Sequence, residues 1–353
     1  MKKLKVGLVG IGRGTAYGHI FSNHERTEVV ALCDRDEEKL AQSAADFALS
    51  DQQIFTNYED FLNADIDIVV LGTPIPFHAD EVCKALAMNK HVLSEVTAAD
   101  SIEACERIVQ AARRSKGKYM MAENCIYMEF CAEWKRHIDA GRIGTPFYAE
   151  ADYVHEIRDR VQNQWRANRA QLHYCSHSLG PVLYWMDDYI VRATASGSRS
   201  TMLEPATPGN IDIQVALFET KKGATIKVLR SSVALRRPAL CSYGIYGTKG
   251  FLESSRVGYD GTGRRYFEGI DPATTGRDIV SSTINLDAPQ ELLLSDHGTS
   301  EYYLVQDFLR AIEADEQPPI DIVRAMDMTV PGLVAHDAAM KGGVWMDVPR
   351  ITD

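Results

Sequence analysis

Apolar positions in the first third of the chain form short continuous runs, with helically spaced stretches between them. Residues 4–9 read as a strand buried on both faces, and a helix is predicted from residue 20 onward. A second strand is expected at 29–33, followed by a helix over 37–47. The run "IDIVVLG" (66–72) predicts a strand, 79–88 a helix, 91–94 a strand, 102–116 a helix and 119–122 a closing strand. Strands alternating with helices imply right-handed βαβ units and a parallel sheet. Past about residue 125 the pattern changes. A helix over 129–140 ends at "GRIGTP", and strand-like runs then follow at 147–154, 190–197, 211–219, 224–232 and 240–247. Turn signals such as "KKG" and "GTKG" separate several of them, as hairpins require. The Gly- and Thr-rich stretch 258–276 reads as a long loop, and helices at about 299–314 and 321–341 end the chain. The expected architecture is α/β: an N-terminal Rossmann-like parallel sheet over 1–123, then a C-terminal α+β domain over 124–353 with a largely antiparallel open sheet.

Composition narrows the partners. The 353 residues are 45% apolar and 25% charged, typical of an ordinary globular chain long enough for two cores. With 38 basic and 49 acidic residues the formal charge is −11, which disfavours nucleic acid and anionic membranes. The seven cysteines form no C-x-x-C pair, so reduced thiols in a cytoplasmic protein are expected. The start, "MKKLKVGLVGIGRG", reads as a strand rather than a signal peptide, and no apolar run approaches the ~18 residues of a membrane span.

"VGLVGIGRGTAYGHI" places Gly10 and Gly12, with Arg13 and Gly14, directly after the first strand. Gly10 permits the tight turn, and Gly12 lets the backbone approach a pyrophosphate at a helix N-terminus. Thr15 stands where a third Gly or Ala is usual. Asp34 ends the second strand, 22 residues after Gly12, where a carboxylate binds the ribose 2′-hydroxyl. Its charge repels a 2′-phosphate, so NAD is expected over NADP. Arg35 beside it is placed to stack on adenine or to meet such a phosphate. The acidic run after Asp34 is read as a solvated helix start favoured by the dipole.

Farther on, "IVVLGTPIPFHADEVCKALAMNKHVLSEV" resembles the Gfo/Idh/MocA oxidoreductases, whose pattern is a T-P-x-x-x-H turn, a helix, then G-K-H-V and E-K-P. Thr73, Pro74, His78, Lys90, His91, Val92 and Glu95 match, while Asn89, Val96 and Thr97 replace the Gly, Lys and Pro. The resemblance implies a nicotinamide cofactor contacted by Thr73, Pro74, His78 and Glu95, and action on sugars or polyols. It also puts Val96 where the family's usual proton-handling Lys stands. "YMMAENCIY", "DYVHEIR", "WR", "HYCSHSLGPV", "DHGTSEYY" and the closing "DVP" look like the family's NAD-dependent glycosidase branch, which includes α-N-acetylgalactosaminidases. That branch tends to carry E-V-P and the same Tyr-x-His and Tyr-x-x-His arrangements, so Val96 falls inside its pattern and Thr97 departs from both.

Oxidising a carbinol needs a base for the hydroxyl proton. Tyr153 and His155, at i and i+2 on a predicted strand, face one way. His173, Tyr174 and His177 lie at the start of a predicted helix, with His177 expected beside His173. These five are the catalytic candidates, since a Tyr can relay a proton to a His that titrates near neutrality. Asn124, after "MMAE", is expected near the cofactor with Glu95; Trp165, Arg166 and Tyr302 are candidates for a sugar subsite. The His-x-x-x-His spacing has no third ligand evident, so no metal is expected. Three functions fit. One is an NAD-dependent oxidoreductase acting at a secondary hydroxyl, C3, of a sugar, glycoside or polyol. Another is a glycosidase using transient C3 oxidation, elimination and water addition, which needs no pair of opposed carboxylates. The third is a non-catalytic nucleotide-binding regulator. An open sheet face favours a homodimer or homotetramer.

Overall fold

The structure, a computed structural model, describes residues 3–157, 165, 169–199, 211–257, 261–280, 282–289 and 298–353. The chain divides into two compact units: Met1–Ala122 with Glu301–Met326 and Ile351–Asp353, and Glu123–Ser300 with Asp327–Arg350. It therefore re-enters the first unit after residue 300, whereas the sequence pattern assigned all of 124–353 to one domain.

In the first unit, strands β1 (Leu4–Val9), β2 (Thr27–Cys33), β3 (Ile54–Phe55), β4 (Ile68–Leu71), β5 (His91–Ser94) and β6 (Tyr119–Met121) form one parallel sheet in the order β3-β2-β1-β4-β5-β6. Helices α1 (Gly14–Asn23), α2 (Glu37–Asp46), α3 (Tyr58–Leu62), α4 (Ile75–Ala87) and α5 (Ile102–Arg114) connect the strands. Val6, Leu8, Leu32, Ile68 and Val69 are fully buried, as a sheet covered on both faces requires. The strand order reverses between β1 and β4, the switch point at which such sheets bind ligands. Two helices begin earlier than their apolar spacing predicts. α1 starts at Gly14, inside the glycine run, and α4 starts at Ile75 with a proline in its first turn, where proline costs no hydrogen bond. The acidic run is the start of α2: Asp36 caps it by accepting from the Lys39 amide, with Glu37 and Glu38 in the first turn.

The second unit is built on β7 (Pro146–Val154), β8 (Ile190–Ser198), β9 (Ile213–Thr220), β10 (Thr225–Ser231), β11 (Leu240–Gly247), β12 (Gly250–Ser254), β13 (Thr262–Phe267), β14 (Arg277–Val280) and β15 (Met346–Asp347). Their order is β14-β13-β12-β11-β7-β10-β9-β8-β15, antiparallel except for the β7–β10 pair. The expected loop 258–276 thus contains β13. Its alternation was hidden because an inward position is charged: Arg265 lies over the Phe267 ring and is 3.5 Å from the buried Asp271. α6 (Glu129–Asp139) and α7 (Ser176–Met186) belong to this unit, and a core of Phe130, Trp134, Trp185 and Tyr243 joins them to the sheet. The other sheet face carries Tyr148, Glu150, Asp152 and Lys227, together with Val215 and Leu217, which are exposed. Two helices, α8 (Ser300–Ala314) and α9 (Ile322–Met340), complete the described elements. Among the described residues no helix is long and apolar enough to cross a membrane.

Candidate active site

In the first unit the glycines divide by what surrounds them. Gly10 has φ of 77°, and a Cβ there would lie 2.6 Å from the Gly72 backbone. A Cβ on Gly72 would in turn lie 2.5 Å from the Gly14 nitrogen. The turns after β1 and β4 are therefore in backbone contact, and only glycine allows it. A Cβ on Gly12 would meet nothing within 4 Å, so the protein's own packing does not require that glycine. α1 has no side-chain cap and no acidic residue in its first turn, which leaves its N-terminal amides for an anion. Asp34 follows β2; its Oδ2 accepts from the Ile11 amide at 2.7 Å and its Oδ1 from the Asp36 amide at 3.0 Å. A carboxylate so held keeps acceptor capacity for a ribose hydroxyl. These features fit a dinucleotide pyrophosphate and its ribose.

Other expected cofactor residues surround these turns. The exposed Arg35 guanidinium lies 5.1 Å from the Phe77 ring centroid. Thr73, ahead of α4, donates its hydroxyl to Glu81, whose carboxyl burial pushes up to about 7. Glu95 accepts from Arg13 Nε at 2.6 Å, and Arg13 Nη2 donates to Glu301 at 2.8 Å. Burial opposes charge on Arg13, but Glu95, Tyr17 and Glu301 outweigh it and raise the guanidinium's pKa. His78 departs from expectation: it is fully buried, with both ring nitrogens 2.8 Å from carbonyl oxygens, those of Thr73 and Thr97. It braces the turn and the strand end, while burial lowers its pKa.

The second unit carries the residues expected to handle the proton. Glu123 and Asn124, both buried, begin the short turn after β6. The His177 Nδ1–H donates to Glu123 Oε1 at 2.7 Å, which leaves Nε2 to accept the Tyr174 hydroxyl at 3.2 Å. Burial alone would raise the Glu123 carboxyl; His177, Ser176 and the Cys125 amide together hold it below the usual carboxylate range. Gly180 on α7 makes the approach possible, since a Cβ there would lie 2.8 Å from Glu123 Cγ. The Tyr153 ring centroid is 5.5 Å from that of His177 and 6.0 Å from that of His155. Burial raises the Tyr153 phenol well above its ordinary range.

His173 does not join this series. It sits in the 3-10 turn Gln171–Tyr174, before α7 begins, and its ring packs edge-on against His336 at 4.8 Å. Burial, with His336 and Arg169 nearby, lowers it to about 3, so it is neutral at neutral pH. Trp165 lies under the Arg169 guanidinium at 5.5 Å. Tyr302, on α8, packs against Tyr303 and falls in the first unit. Arg166 lies outside the described residues. Glu123 was missed by the sequence reading, as were Arg169 and Arg230, two guanidinium groups over the Tyr174 ring. Glu123, Cys125 and His177 also bring potential ligand atoms within 4.8 Å of one another, a set not foreseen when no metal was expected. Burial drives the Cys125 thiol well above its ordinary value.

Two family descriptions match successive parts of the chain. Residues 4–123 match the description "Oxidoreductase family, NAD-binding Rossmann fold", and residues 131–253 match "GFO/IDH/MocA C-terminal domain". A curated relative from Solibacter usitatus, "Glycosyl hydrolase family 109 protein", is 26% identical over 391 aligned positions, covering 99% of this chain and 88% of its own. In fold, the chain is similar to a levoglucosan dehydrogenase in complex with NADH (TM-score 0.86, 19% identity, 99% and 100% of the two chains). It is similar also to myo-inositol 2-dehydrogenase from Lactobacillus plantarum (TM-score 0.80, 17% identity, 99% and 100%).

Proposed function

The chain belongs to the Gfo/Idh/MocA oxidoreductase family, and from that premise we propose that it oxidises a secondary hydroxyl, at C3, of a sugar, glycoside or polyol. The observation that carries this reading is the series Tyr174–His177–Glu123, with hydrogen bonds of 3.2 and 2.7 Å. It provides a hydroxyl-proton acceptor where Val96 replaces a lysine. Glu123 fixes the His177 tautomer, His177 Nε2 accepts from Tyr174, and the phenol meets the substrate hydroxyl. NAD, when bound, supplies the hydride-accepting nicotinamide. Gly12 and the α1 amides would hold its pyrophosphate and Asp34 its ribose diol, while Glu95 and Asn124 complete the cofactor contacts. Trp165, Arg166 and Tyr302 are assigned to the sugar, with Tyr153 and His155 beside the relay. The small-molecule carbohydrate needs no nucleic acid or membrane, and seven free cysteines fit a reducing, cytoplasmic setting. The apolar positions on the open sheet face support a homodimer or homotetramer.

Val96 and the curated relatives named glycosyl hydrolase family 109 favour a second reading, glycoside cleavage. A transient C3 ketone acidifies the C2 proton, so the anomeric substituent leaves by elimination and water adds, before the ketone is reduced again. A panel of p-nitrophenyl glycosides, intact glycosides and free sugars separates the two. Net NADH accumulation is the outcome expected of the dehydrogenase. Chromophore release at turnover, with no added cofactor consumed, replaces it by the glycosidase. If NAD binds but neither signal occurs across the panel, both give way to a nucleotide-binding regulator.

A further inference from the structure

Arg230 lies on the inward face of β10 with Ile226 and Val228, and is 2% exposed. Its Nε donates to the Tyr174 carbonyl at 2.9 Å; its Nη1 donates to the carbonyls of Tyr153 at 3.1 Å and Ser231 at 2.8 Å. Its guanidinium carbon stands 4.6 Å from the Tyr153 ring centroid and 5.3 Å from that of Tyr174. The Arg169 guanidinium also lies over Tyr174, at 4.2 Å. The ionisable groups that act on Arg230 are two phenols and two thiols, and among the described residues no carboxylate pairs with it. A buried cation in that position is costly unless a neighbour carries negative charge.

The two phenols differ in where a proton could go. Burial keeps Tyr153 protonated. The Tyr174 hydroxyl meets His177 Nε2, and the opposite ring nitrogen is anchored on Glu123, so a proton leaving Tyr174 has an acceptor. Negative charge on a phenolate spreads into the ring over which both guanidinium groups lie. We infer that Arg230, aided by Arg169, holds negative charge on Tyr174, making Tyr174 the base and leaving Tyr153 a hydrogen-bond donor only. The Arg230 guanidinium, the Tyr174 phenol, the His177 imidazole and the Glu123 carboxylate then lie in series. With NAD bound to accept the hydride leaving the substrate carbon, the Tyr174 oxygen would take the substrate's O–H proton as the C=O bond forms. Arg230 acts through Tyr174 and is a positioning residue. The inference rests on the proton-relay reading of the proposed function.

Its test reads ionisation and not turnover. The difference in tyrosinate ultraviolet absorbance between NAD-loaded wild type and Tyr174→Phe isolates this side chain. The expected step falls about one pH unit or more below the ordinary tyrosine value of about 10; a step at or above that value overturns the inference. Arg230→Met is expected to raise the step by about one unit, and Arg230→Lys to restore most of the wild-type position. If Arg230→Met does not fold, Arg169→Met tests the same field, and a step unmoved in the folded variant removes the arginines from the account. A low step in a protein inactive on the whole carbohydrate panel overturns the functional reading while leaving the electrostatic one in place.

Discussion

At Glu123 one carboxylate, fully buried, settles which nitrogen of His177 carries the proton. Glu123→Gln keeps the shape but removes the charge that holds the imidazole in that tautomer. It is expected to lower kcat by about 10²-fold or more with KM and NAD affinity near wild type; steady-state kinetics and cofactor titration check both. His177→Ala is expected to abolish hydride transfer while NAD affinity stays close to wild type, and a variant retaining most activity would remove the relay. That Tyr174 and His177 meet was legible because their spacing in "HYCSHSLGPV" repeats a family arrangement. Glu123 was not, since a single acid after an apolar strand looks like an ordinary strand end. Arg230 left a usable signal: in "TIKVLRS" alternation with Ile226 and Val228 points it inward, where a charge needs a reason. His173 misled because helical spacing was assumed across residues that form a 3-10 turn, and that turn directs the ring to His336.

Turns between elements separate stability from binding. Gly72→Ala drives a Cβ into the Gly14 backbone and is expected to lower the melting temperature sharply. Gly12→Ala meets no protein atom within 4 Å, so it should melt near wild type yet bind NAD more weakly. Calorimetry of the two variants, with and without cofactor, is the check; equal stability losses would deny Gly12 its role. On α4, Glu81 sets a pH dependence. Its folded pKa, about 7, lies above the ordinary 4.5, so the protonated folded form is favoured. That contribution is complete below about pH 4.5 and is lost as pH rises through 7. Glu81→Gln should therefore gain more melting temperature over wild type at about pH 8 than at about pH 5, and an equal gain at both would refute the sign. Element types were mostly legible from apolar spacing. The early starts of α1 and α4 were not, because glycine and proline near a helix start look like interruptions.

On the scale of the whole molecule, the parallel sheet and the mixed, largely antiparallel sheet were both anticipated by a change of hydrophobic period near residue 125. The return of Glu301–Ala314 to the first unit was not, because an amphipathic helix does not say which sheet it covers. The exposed Val215 and Leu217 give the assembly reading its test. Val215→Glu with Leu217→Lys is expected to convert the oligomer to a monomer, measured by light scattering, with the melting temperature of the nucleotide-binding unit little changed. A wild-type protein already monomeric at micromolar concentration would end that reading.

β7 and β10 form the parallel pair in the second sheet, with Tyr153 in register with Arg230. These residues stand 77 positions apart in the chain, so the charge environment of the relay exists only after a long-range closure has taken place. A one-residue slip in that pairing would turn Arg230 to the opposite face. Local helices can therefore form in a refolding chain well before Arg230 meets the Tyr153 and Tyr174 rings, and regain of turnover would lag behind regain of helicity.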